Sequence, residues 1–130
     1  MKRHASIGIL LCTLSLLRPH GPLVAAADEP ETVMATFHAK PGAEAALAKV
    51  IADHFVTARQ LNLVLAEPHV TIRMNEGDKA ALVDIFTWRD GSIPDDAPTA
   101  IRALWTEMAR LTEARGGKPA IDIVQVALVR

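Results

Sequence analysis

Three residues stand out as able to move or orient a proton: His38, Asp84 and Arg73. His38 closes the alternating segment Val33 to Ala39, with Met34, Thr36 and His38 on one face and Val33, Ala35 and Phe37 on the other. Asp84 lies within Ala80 to Trp88, where Leu82, Asp84, Phe86 and Trp88 alternate with Ala81, Val83, Ile85 and Thr87. Arg73 shares a face with His69 and Thr71, opposite Val70, Ile72 and Met74. A carboxylate flanked by apolar residues must be paired or face a pocket, because an isolated buried charge is costly. An imidazole near it could take a proton from an acidic phenol. On this reading His38 is the base, and Asp84 and Arg73 orient it or the substrate. Thr36 and Thr71 then line the site, and Phe86 and Trp88 wall in a planar ligand.

Each residue also has a plainer reading. Asp84 and Arg73 could form a structural ion pair, and His38 could be solvated at a strand end. Phe86 and Trp88 could anchor a dimer interface instead of a ligand. His54, Trp105 and Met108 fall in helical stripes and read as core or its edge. His38 and His69 supply two imidazoles with no third ligand in view, so no metal is expected. No cofactor is expected either: the chain has no phosphate loop, dinucleotide fingerprint or nucleophile elbow.

The elements that must position these residues follow from periodicity. After the first strand, Lys40-Pro41-Gly42 breaks the chain, and Leu47, Val50, Ile51, His54, Phe55, Ala58 and Leu61 mark an amphipathic helix stopped near Asn62. The second and third strands form a hairpin about Asn75 to Lys79, pairing Met74 with Ala81, Arg73 with Leu82 and Thr71 with Asp84. That register makes His69 and Arg73 diagonal neighbours of Asp84. Asp95 or Asp96 is expected to cap a second helix bearing Ile101, Leu104, Trp105, Met108 and Leu111, which Gly116-Gly117 ends. Ile121 to Val129 is the last strand.

The order βαββαβ is that of α+β ferredoxin-like folds, a four-stranded antiparallel sheet ordered 4-1-3-2 with two helices on one face. The third strand is apolar on both sides. Its aliphatic face, Ala81 to Thr87, is expected under the helices. Met34, Thr36, His38, Phe86 and Trp88 are then placed on the uncovered face, where such a patch marks a partner or ligand surface.

The ends and composition set the context. Lys2 and Arg3, the apolar run Ile7 to Leu17, and Ala25-Ala26-Ala27 have the order of a secretory signal peptide, residues 1–27, preceding one domain, residues 28–130. The run is about half the length of a membrane span, so no stable membrane anchor is expected and the product is read as secreted or periplasmic. Past residue 27 the chain has 11 basic and 15 acidic residues and no cysteine. Thiolate metal sites and Cys nucleophiles are thereby excluded, and nothing draws the domain to nucleic acid.

The strand Val33-Met34-Ala35-Thr36-Phe37, the lead-in Lys40-Pro41-Gly42-Ala43-Glu44 and the stretch Val83-Asp84-Ile85-Phe86-Thr87-Trp88 together resemble the antibiotic-biosynthesis monooxygenase-like (ABM) domains of the dimeric α+β barrel superfamily. The resemblance spans about residues 32 to 129. It implies a homodimer joined through the sheets, and a cofactor-independent oxygenase acting on an aromatic or quinone-like compound. A non-catalytic dimeric module binding a small apolar ligand is the alternative. Haem-degrading members use an Asn on the first strand, a Trp at the end of the third and a His early in the second helix. Trp88 matches the Trp, but Thr36 or His38 stands at the Asn position and Asp96-Ala97-Pro98-Thr99 holds no imidazole.

Overall fold

Two residues with left-handed backbone bracket the first helix. Gly42 (φ +77°) turns the chain out of strand β1 (Glu31–His38), and Asn62 (φ +58°) ends helix α1 (Glu44–Gln60) where the sequence placed its stop. The computed structural model, which describes residues 29–130, continues with β2 (Val64–Glu76), β3 (Lys79–Trp88), a short 3-10 turn (Ile93–Asp96), α2 (Thr99–Arg110) and β4 (Ile121–Gln125). The signal-peptide reading of residues 1–27 lies outside the described residues. Among those described, no helix is long and apolar enough to cross a membrane.

The strands form one antiparallel sheet in the order β2-β3-β1-β4, the expected ferredoxin-like arrangement. The hairpin register is also as expected, with Met74 opposite Ala81, Arg73 opposite Leu82 and Thr71 opposite Asp84. Between Val64 and His69 the pairing slips, next to Pro68, which has no N–H to give to a ladder. The slip falls before His69, which keeps the hairpin register opposite Phe86, and re-aims only the start of β2.

The faces of β3 are the reverse of the expectation. Val33 pairs with Phe86, Ala35 with Asp84 and Phe37 with Leu82, so these six side chains share one face. That face meets the helices. Leu82, Ala35 and Phe37 pack with Leu47, Ile51 and Met108, while Val33, Phe86 and Trp88 pack with Ala58 and Ile101. Phe86 and Trp88 are therefore core residues beneath the helical layer, not anchors on the uncovered face. The physical reason is volume: both faces of β3 are apolar, and the bulkier one fills the space under two helices. The helix-free side instead carries Val70, Ile72, Met74 and Val124, each between 40% and 45% exposed.

Smaller corrections concern the termini of elements. Pro98, not Asp95 or Asp96, occupies the cap position of α2, and no side chain caps it. Helix α2 ends at Arg110, several residues before Gly116 and Gly117 (φ +59° and +76°), which form the turn joining Arg115 to Lys118. Strand β4 stops at Gln125, and Val129 beyond it is exposed.

Ile101 is fully buried where α2 meets the aromatic end of β3. Ile101→Ala is expected to destabilise the fold by about 2–5 kcal/mol in chemical denaturation. A loss below about 1 kcal/mol would show that α2 is not seated there.

Candidate functional site

Between the sheet and the two helices lies a cavity of about 490 Å³. Its inner wall is apolar and aromatic: Phe37 from β1, Phe86 and Trp88 from β3, and Trp105 and Met108 from α2. Its partly exposed rim is formed by Glu31, Gly91, Pro94, Asp95 and Ile123. At the rim a side chain on Gly91 would collide with Glu31, whose Oε2 stands 2.8 Å from where a Cβ would be. Two titratable groups reach the inner wall: Asp84 from the middle of β3 and His54 from α1.

Asp84 is 1% exposed. Its Oδ1 accepts hydrogen bonds from Thr71 Oγ1 (2.8 Å) and from His69 Nε2 (3.1 Å). The His69 ring stacks on Phe55 at 3.5 Å between centroids and 10° between planes, which fixes its direction. Oδ2 accepts nothing among the described residues, so it is the oxygen left for an occupant of the cavity. Burial raises the pKa of the Asp84 carboxyl above the usual carboxylate value, against the lowering pull of Thr71 and His69.

His54 is 3% exposed and accepts a hydrogen bond at Nε2 from Trp105 Nε1–H (3.0 Å). Indole nitrogen only donates, so the imidazole is neutral with its proton on Nδ1. The rings of Phe86 and Trp88 stand edge-on to it, 5.6 and 5.9 Å away between centroids. Burial, and secondarily the charge of His69, lower its pKa to about 4. At neutral pH the wall thus offers one neutral imidazole and one carboxyl whose proton affinity is enhanced.

No protein-family model matches the chain, and no curated protein matches it significantly. Solved structures do. SnoaB, a cofactor-independent oxygenase from Streptomyces nogalater, superposes with a TM-score of 0.59 at 16% identity, over 78% of this chain and 95% of that one. An antibiotic biosynthesis monooxygenase superposes at 0.56 with 20% identity, covering 76% of this chain and 98% of its own. A Caulobacter crescentus protein assigned provisionally to the same activity gives 0.56 at 14% identity, over 78% and 93%. The chain has the ABM fold.

Within this ABM fold the three proposed proton-handling residues do not converge. Asp84 lines the cavity, with Phe86 and Trp88 beside it and Thr71 bonded to it. Arg73 is on the same side of the sheet but turns outward, giving hydrogen bonds to Glu44 and Asn75. Both members of its ion pair with Glu44 are substantially exposed, so the pair contributes little to stability. His38 and Thr36 are on the opposite face, paired with Ala81 and Val83. There His38 Nδ1–H donates to Glu76 Oε1 (2.8 Å), which also accepts from Arg115 Nη1 (3.1 Å). Arg115 donates further to the carbonyls of Ala80 and Ala39 and to Glu113, tying strand ends to the segment after α2. The His38 and Arg115 bonds hold the Glu76 carboxyl below its usual range, His38 contributing most.

The sequence reading missed His54, Trp105 and Met108 as cavity residues. It placed His69 as a diagonal neighbour of Asp84, which the hydrogen bond between them bears out, but gave it no role beyond that of a weak metal ligand. The available signal was His54 itself, an imidazole inside the apolar stripe of α1. No group of three or more metal-ligating side chains occurs among the described residues.

The depressed pKa of His54 has a definite sign. Between about 4 and 6.5 the unfolded ring binds a proton that the folded ring refuses, so stability falls as pH drops through that window. The loss due to His54 is expected to be about 2 kcal/mol between about pH 6.5 and 5. Urea denaturation of the wild type and His54→Gln at both pH values would measure it as the difference between their pH dependences. Equal dependence in the two proteins would show that His54 is not held neutral.

Proposed function

We propose that the protein binds a small planar aromatic or quinol-like compound in the cavity between sheet and helices and oxygenates it without a cofactor, with Asp84 as the base. The observation that carries this reading is the free Oδ2 of a buried carboxyl, set in an aromatic wall, with its proton affinity raised by burial. A base of raised pKa is better matched to a weakly acidic carbon than an ordinary surface carboxylate. The ABM-fold neighbours, which include a cofactor-independent oxygenase, are consistent with it.

The chemistry needs no group beyond substrate and dioxygen. Asp84 Oδ2 removes a proton from an activated C–H of an anthrone-type substrate, and the electron pair stays on the ring carbon. That carbanion passes one electron to dioxygen, and the resulting radical pair couples to a hydroperoxide anion, which regains a proton. Loss of water then leaves a quinone carbonyl, so one dioxygen enters and one water departs. Thr71 and His69 hold Oδ1 throughout and steady the charge. The aromatic wall keeps bulk water from the carbanion.

Asp84→Asn is expected to lower oxygen uptake and quinone formation from an anthrone by about 100-fold or more while leaving ligand binding intact. His38→Ala, altered on the other face, should keep most of the activity. If binding occurs but wild type consumes no oxygen with anthrones or quinols, the non-catalytic ligand-binding module is the better reading.

We also propose that two copies pair through the helix-free sheet face. Val70, Ile72, Met74 and Val124 form an exposed apolar surface of the kind that marks an interface. Sedimentation equilibrium should give a dimer, and Ile72→Lys should shift it toward monomer. A wild-type monomer at high micromolar concentration would remove the proposal.

A further inference from the structure

The charge around the cavity is one-sided. Three carboxyl groups line it, Glu31 and Asp95 at the rim and Asp84 within, and no Lys or Arg does so among the described residues. Cations close in sequence to the lining are committed elsewhere: Arg89 Nε donates to the carbonyl of Asn62, Arg102 Nη2 to Thr99 Oγ1, and Arg110 Nε to Glu107 Oε2. An anionic ligand would therefore enter past two carboxylates and meet a third with nothing to pair it. A cation would meet the reverse at each step.

The interior supports the same sign independently. The neutral His54, whose Nε2 is already taken by Trp105, adds no positive charge. The faces of aromatic rings attract cations, and Phe86, Trp88 and Trp105 are all in the wall. Asp84 is almost wholly buried, and no Lys or Arg among the described residues lines the cavity to offset its charge.

We infer that the cavity selects hydrophobic ligands that carry an ammonium group, with the cation set against the aromatic wall inside the carboxylates of Glu31 and Asp95, and excludes carboxylated analogues of the same shape. This rests on the cavity being the ligand site, as proposed above, and adds the charge class of what it takes. The rim carboxylates guide the ligand in and the aromatic wall holds its cation, which leaves Asp84 Oδ2 open to act as the base.

The protein contains two tryptophans, Trp88 and Trp105, and both line the cavity, so their fluorescence reports its occupancy directly. Three probes of one shape isolate the charge: 4-phenylbutylamine, 4-phenylbutan-1-ol and 4-phenylbutanoate, titrated at neutral pH in low salt. The amine is expected to bind at least about tenfold more tightly than the carboxylate, with the alcohol between them. Glu31→Gln, a change at the partly exposed rim, should narrow the gap severalfold, as should Asp95→Asn. Equal affinity for the three probes, or preference for the carboxylate, would overturn the charge selectivity while leaving the cavity as a ligand site. No fluorescence response to any of the three, from protein shown by circular dichroism to be folded, would overturn both.

Discussion

A carboxylate in the middle of a buried strand constrains everything around it. Asp84 is on the central part of β3 beneath two helices, where an unpaired charge would be costly. The fold answers with two donors on the neighbouring strand, Thr71 directly opposite and His69 two residues before it. His69 reaches its place through the unbroken hairpin register, and it keeps its direction by stacking on Phe55 of α1. Strand register and helix packing thus converge on one oxygen of one side chain. Its other oxygen is left facing the cavity.

The second constraint is the pairing of β1 with β3. Setting Ala35 beside Asp84 places Phe37 and Val33 next to Leu82 and Phe86, which creates a wall large enough to meet both helices. The same pairing puts His38 on the other side, among Glu76 and Arg115. Two polar clusters result, separated by the sheet itself. One lines a cavity. The other fastens strand ends to the chain beyond α2.

Much of this was legible in the sequence. Element order, sheet order, the β2–β3 register and the stop at Asn62 all follow from periodicity and turn residues, because those signals are local. The facing of β3 did not follow. Ala81, Val83, Ile85 and Thr87 are as apolar as Leu82, Phe86 and Trp88 taken with Asp84, so period-two alternation marks the strand without telling its sides apart. The β1–β3 register, which settles the matter, joins segments some fifty residues apart and has no turn to fix it. Once the face was misplaced, His38 and Asp84 were brought together on paper, while His54 and Trp105 were left in the core. A histidine in an otherwise apolar helical stripe was the one local hint of a lined interior.

Gly91 gives the opening of the cavity a dependence on something missing. Glu31 lies across the place where any other residue would carry its first carbon. A single methyl group there would push the acid aside, changing both the aperture and the electrical threshold a molecule crosses on its way in. What the protein admits is therefore tunable from the doorstep, with the interior chemistry left untouched.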